Sequence, residues 1–197
     1  MNSAMFLTDF ADQAVVLPVA AAVAIVLAAQ GWRRGALAWI AVVAITLGII
    51  LLLKVSFLAC APVFSHWALR SPSGHTAAAS VVAGGMVALV AGRLRAVLLV
   101  ALLAAVVIGS SRLELGFHSL PEVLIGAITG VAGAALLSFL AGPPPARRPV
   151  SLLAVAFVVA MLLHGMRLPA EAAIWRMSLG ALDFVPACRG GVGAQPM

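Results

Sequence analysis

Six apolar runs, at about residues 14–29, 36–53, 76–92, 95–110, 121–141 and 150–166, follow one another with short polar intervals between them. No other feature narrows the fold as much. A run of roughly 17–25 apolar residues matches the hydrocarbon thickness of a bilayer, and a backbone in lipid has no water to bond, so each run is expected to be helical. Composition agrees: 64% of residues are hydrophobic and only 9% are charged, against about a quarter charged in soluble domains. The expected fold is an all-α polytopic membrane helical bundle of six transmembrane helices, with no separate soluble domain.

Arginine pairs set the expected orientation. Arg33 and Arg34 join the first two runs, Arg93 and Arg95 the third and fourth, and Arg147 and Arg148 the fifth and sixth. Short doubly basic loops mark the cytoplasmic side, which sends both termini to the outer side. The first 13 residues carry Asp9 and Asp12 among Phe6, Leu7 and Phe10, and no Lys or Arg. They lack the basic n-region of a signal peptide and are expected to form a short interfacial helix. Residues 14–166 would be the six-span domain. Residues 167–197 would be a periplasmic interfacial helix, with Pro169 and Glu171 near its start, and a flexible tail.

The formal charge of +6 does not argue for nucleic acid, because no basic patch with interleaved aromatics accompanies it. Cys60 and Cys188 show no metal-ligand spacing; a disulfide and two free thiols both stay open. Gly126-x-x-x-Gly130 is read as close packing inside one bundle rather than a dimer face.

The intervals expected on the outer side hold the residues with chemistry to offer. Lys54 is the chain's single lysine and ends the second run; an anchor for the membrane edge would explain it equally well. Pro72-Ser73-Gly74-His75 opens the third run. Ser73 suits an N-cap, and the exposed amides of a helix start suit an anion. Capping alone does not account for Gly74 and His75, both mediocre helix formers. Ser111 and Arg112 close the fourth run; His118 and Glu122 precede and open the fifth. Ser119-Leu120-Pro121-Glu122 reads as a capping box, which alone would explain Glu122. His66 and His164 fit ordinary positions at a loop and a helix end. Two crossings separate His75 from His118, so the chain returns to the same face between them. Lys54, Ser73, Gly74, His75, Arg112, His118 and Glu122 are therefore expected to converge, with two cations and amide donors for a phosphate. No carboxylate cluster points to a metal.

These stretches resemble the three signature motifs of the type 2 phosphatidic acid phosphatase superfamily, over about residues 36–141. The first motif, Lys, six spacers, Arg-Pro, reads KVSFLACAP: Lys54 and Pro62 match, and Ala61 stands in the arginine position. Pro-Ser-Gly-His is intact at Pro72 to His75. Ser-Arg, five spacers, His, three spacers, Asp reads SRLELGFHSLPE, with Glu122 in the aspartate position. The resemblance implies hydrolysis of a membrane lipid phosphate with no metal or cofactor. His118 would be the nucleophile and form a phosphohistidine, Glu122 would orient it, and His75 would be the proton donor. Lys54, Ser73, Gly74 and Arg112 would bind the phosphate, with Arg70 standing in for the missing arginine. Small loops and the lack of a eukaryotic targeting signal suggest a bacterial inner membrane, with the site facing the periplasm. The alternative, prompted by Ala61, is a family member that binds or moves a phospholipid without hydrolysis.

Overall fold

Helix boundaries fall where short polar residues and glycines interrupt the apolar runs. The computed structural model of the chain describes residues 3–67, 69–143, 149–179, 181–182 and 184–188. In chain order the helices are α1 (Ser3–Asp9), α2 (Gln13–Ala29), α3 (Arg33–Ala59), α4 (Ala61–Phe64), α5 (Gly74–Ala91), α6 (Leu94–Glu114), α7 (Leu120–Leu140), α8 (Pro149–Leu163) and α9 (Ala170–Ser178). Single 3-10 turns follow at Ser65–Trp67, after α4, and at Pro186–Cys188, after α9. Asp12 starts α2 by accepting the Ala14 N–H at 2.9 Å. Gly92 ends α5 in the left-handed region (φ 61°), which lets the chain turn at once into α6. The Arg147–Arg148 pair and the final residues expected as tail, 189–197, lie outside the described residues.

Among the described residues, five helical stretches are long and apolar enough to cross a membrane, counting α1 and α2 together as Ser3–Ala29. Six were expected. The sixth run forms α8, an apolar helix of 15 residues, about 22 Å long at 1.5 Å per residue and so short of a roughly 30 Å hydrocarbon core. It nevertheless runs antiparallel to α2 over that helix's whole length. Gln30 Nε2 donates to Ser151 Oγ at 2.8 Å at one end, and Leu168 N–H donates to Asp12 Oδ1 at 3.1 Å at the other.

Small residues let the central helices close on one another, while many large apolar side chains face outward. Exposed side chains include Leu52, Leu99, Leu103, Ile128 and Phe139, which suit lipid. At the centre α5, α6 and α7 close on one another through glycines. A Cβ at Gly84 would strike Ala101 and Ala134; one at Gly126 or Gly130 would strike the backbone carbonyl of Ser73 or Ala77. The Gly126/Gly130 stripe therefore serves packing between α7 and α5 within the chain. Trp39 of α3 is fully buried against Gly85, and its indole N–H donates to Ala20 O at 2.8 Å. Arg34 Nε donates to Leu140 O at 2.9 Å, which puts the start of α3 and the end of α7 at one end of the bundle. The opposite end holds the motif residues. There α9 packs on α3, and Cys60 and Cys188 form a disulfide, the alternative to free thiols that the sequence had left undecided.

Candidate functional site

Glu122 joins two of the sequence motifs. It is buried at the start of α7, and its two carboxylate oxygens divide the work. Oε2 accepts the Ser119 N–H at 3.0 Å, completing the capping box, and lies 3.2 Å from His118 Nδ1. Oε1 accepts the N–H groups of Arg70 and Ser71, each at 2.6 Å. The Glu122 carbonyl in turn accepts the Ser73 N–H at 3.0 Å. One acid thus meets both readings of its position: it caps α7, and it holds His118 against the loop that leads into α5. With Nδ1 engaged by Glu122, Nε2 is the ring nitrogen left to act as a nucleophile.

Two buried cations stand beside this pair. Lys54 was expected where the second run ends, at the membrane edge. Instead α3 continues to Ala59, so Lys54 lies within the helix and is 3% exposed. Its Nζ donates to Ser71 Oγ at 3.0 Å, and its stem passes Gly74, where a Cβ would sit 3.5 Å from Lys54 Cε. Arg112, 8% exposed, lays its guanidinium over the Phe117 ring at 4.5 Å and reaches Thr8 of α1 at 3.4 Å. Its Nε is buried without a hydrogen-bond partner among the described residues, an orphan donor of the kind that costs about 1–3 kcal/mol unless something fills it.

Ser73 is fully buried, its hydroxyl 2.9 Å from Thr76 Oγ1 and accepting the Thr76 N–H at 3.4 Å, so it caps α5. From this turn Gly74 and His75 face the cavity. Arg70 is exposed at the rim, tied in by its backbone. Ala61 opens α4 beside the disulfide and offers no donor. His66 is exposed, and His164 lies between the rings of Phe6 and Phe10, its Nε2 3.0 Å from Phe6 O.

Two acids enter the site that motif spacing did not flag. Glu171, from α9, bonds Lys54 through Oε1 and lies close enough to His75, His118 and Arg112 to interact with each. Burial pushes its carboxyl up, but the Lys54 charge and hydrogen bond, helped by the two histidines, bring it below the usual carboxylate range. Asp12, from the turn between α1 and α2, places Oδ2 3.7 Å from His75 Nε2. The available signal was rarity: the chain has only six acids, and an acid flanking an apolar run is a candidate for a partnered role.

A cavity of about 370 Å³ opens beside these groups. Its polar end carries Asp12, Lys54, Gly74, His75 and Glu171. Apart from Gln13, its remaining wall is apolar, with Leu17 of α2, Leu47 and Leu51 of α3, and Ile174 of α9. A Cβ at Gly48, also on this wall, would meet nothing within 4 Å. The space therefore suits a ligand with a charged head and a hydrocarbon tail.

Searches of curated proteins and of solved structures each returned no match. Residues 35–143, more than half the chain, match the family model of the PAP2 superfamily.

Proposed function

The chain belongs to the PAP2 superfamily, and from that premise we propose that it hydrolyses the phosphate of a membrane lipid at this site. Membership supports phosphatase activity on phosphate esters. The observation that carries the finer reading is Glu171: the protein sets one of its own carboxylates at the point where Lys54, Arg112, His75 and His118 converge. A place that gathers cations and histidines around an anion suits a phosphoryl group, whose transition-state charge such groups stabilise.

In this mechanism His118 Nε2 attacks phosphorus while Glu122 holds the other ring nitrogen. The P–O bond to the leaving group breaks, and a phosphohistidine forms. His75 protonates the leaving oxygen, then takes a proton from the water that attacks the phosphohistidine and releases phosphate. Lys54, Arg112 and the Gly74 amide hold the non-bridging oxygens, Ser73 secures the turn that presents that amide, and Arg70 reaches in from the rim in place of Ala61. Substrate phosphate displaces Glu171 from Lys54. The apolar cavity wall supports a lipid phosphomonoester or lipid diphosphate that enters sideways, with its tail between α2, α3 and α9. The Cys60–Cys188 disulfide supports an oxidising compartment such as the periplasm, and the antiparallel pairing of α8 with α2 supports a sixth crossing despite its 15 residues.

Purified protein tested on lipid phosphates with chelator present decides the matter. Wild type should release phosphate and His118→Ala should release none. Release that persists in His118→Ala rejects the mechanism. Tight binding of a lipid phosphate without release favours the second reading, a binder impaired by Ala61.

A further inference from the structure

The family-matched region, 35–143, supplies His118 with its carboxylate partner but does not contain the one that faces His75. That partner is Asp12, and the fold takes trouble to place it. The helical path breaks at residues 10–12 between α1 and α2. Asp9 on one side of the break receives two hydrogen bonds from Arg167, at 2.9 and 3.1 Å. Asp12 Oδ1 is filled by the N–H groups of Ala14 and Leu168, at 2.9 and 3.1 Å. That leaves Oδ2 to face His75 Nε2 at 3.7 Å, with both side chains largely buried. Both residues also line the cavity.

Charge explains why such a partner is needed. The groups facing His75 are Lys54 from α3, Arg112 from α6, Glu171 from α9 and Asp12. Two of them are cations that repel a protonated imidazole, and Glu171 leaves Lys54 when substrate arrives. Asp12 is then the carboxylate that remains beside His75. We propose that Asp12 is a positioning residue: it orients His75 and favours its protonated form against the two cations, so that the proton on the opposite ring nitrogen goes to the leaving-group oxygen. The inference rests on the phosphatase reading above. In the first half-reaction the His118–P bond forms, the P–O bond breaks, and the leaving oxygen takes the proton of His75. In the second, water's oxygen bonds phosphorus, the P–N bond breaks, His118 recovers its electron pair, and His75 takes the proton of water.

Leaving groups separate this role from a merely structural one. An alkoxide needs a proton to depart; a nitrophenolate does not. Asp12→Asn should lower kcat on a short-chain glycerolipid phosphate by about 100-fold, and on p-nitrophenyl phosphate by only about threefold, within the range of a lost general acid. Asp12→Ser, which keeps an oxygen for the Ala14 and Leu168 amides but has none for His75, should show the same selectivity should Asp12→Asn prove poorly folded. An equal loss on both substrates, or no loss on either, overturns the inference. His118→Ala run in parallel tests the underlying reading separately. If it hydrolyses p-nitrophenyl phosphate as wild type does, the phosphohistidine mechanism fails and this inference with it.

Discussion

The α5–α7 core and the cover formed by residues 9–12, 164–171 and Cys188 are held by different forces. The core closes through glycines that admit no extra atom: Gly84, Gly126 and Gly130 each bring a neighbouring helix or its backbone into contact. The cover is tied together by polar links, Asp9 with Arg167 and Asp12 with Leu168 N–H, and is fastened to α3 and its end by Glu171 with Lys54 and by the disulfide from Cys60. Close packing tolerates little movement. Half-exposed ion pairs are cheap to open. The division suits a site whose phosphate-handling geometry stays rigid while one acid over it gives way to substrate.

The largest expected effect comes from the rigid side. Arg112→Lys keeps the charge but loses the planar fork, and Arg70→Ala removes the proposed replacement for Ala61. Each should lower kcat/KM by about 100-fold. An unchanged rate in Arg70→Ala would show that Ala61 leaves an uncompensated gap. Next comes a paired test of packing. Gly126→Ala should cost about 1–3 kcal/mol in detergent unfolding, because its Cβ meets Ser73 backbone that cannot rotate away. Gly48→Ala should leave stability within about 0.5 kcal/mol, since open space receives its methyl. Equal losses at the two positions would erase the contrast between a close-packed core and an open cavity wall.

A smaller effect is expected from Glu171, the acid of the cover that substrate displaces. Glu171→Gln should lower KM a few-fold with little change in kcat, because substrate phosphate no longer competes with a charged carboxylate for Lys54. The pH dependence has a definite sign. A carboxyl lowered in the folded state contributes stability that is present above its ordinary titration range and lost as pH falls through the lowered value. Docking of α9 should therefore loosen on the acid side, seen as faster proteolysis within α9, and Glu171→Gln should remove that dependence. Loosening at alkaline pH instead would contradict the ion pair as its cause.

Much of the site could be read from the chain alone. Lys54, Ser73, Gly74, His75, Arg112, His118 and Glu122 stand in motifs whose spacing encodes helix starts and ends, and an even number of crossings returns them to one face. The structure brings them to one end of the bundle. It also shows what spacing could not: Ser73 spends its hydroxyl on Thr76, and Lys54 is a buried residue within α3 rather than an anchor at its end. Asp12 and Glu171 were read as parts of interfacial segments, because their partners lie 63 and 117 positions away and no periodicity links such distances.

Apolar run length and the scarcity of charge determined an all-helical chain with membrane-crossing segments, because a lipid-exposed backbone must satisfy its own hydrogen bonds. Local spacing likewise determined the capping box at Ser119–Glu122 and the N-cap at Ser73, since those contacts lie within one turn. Tertiary structure alone decided that Cys60 meets Cys188, that α8 stays short yet follows the whole of α2, and that two acids from outside the family-matched region reach the histidine and lysine. Such pairings depend on where whole helices come to rest, and helix packing is set by the summed fit of many small side chains rather than by any local pattern.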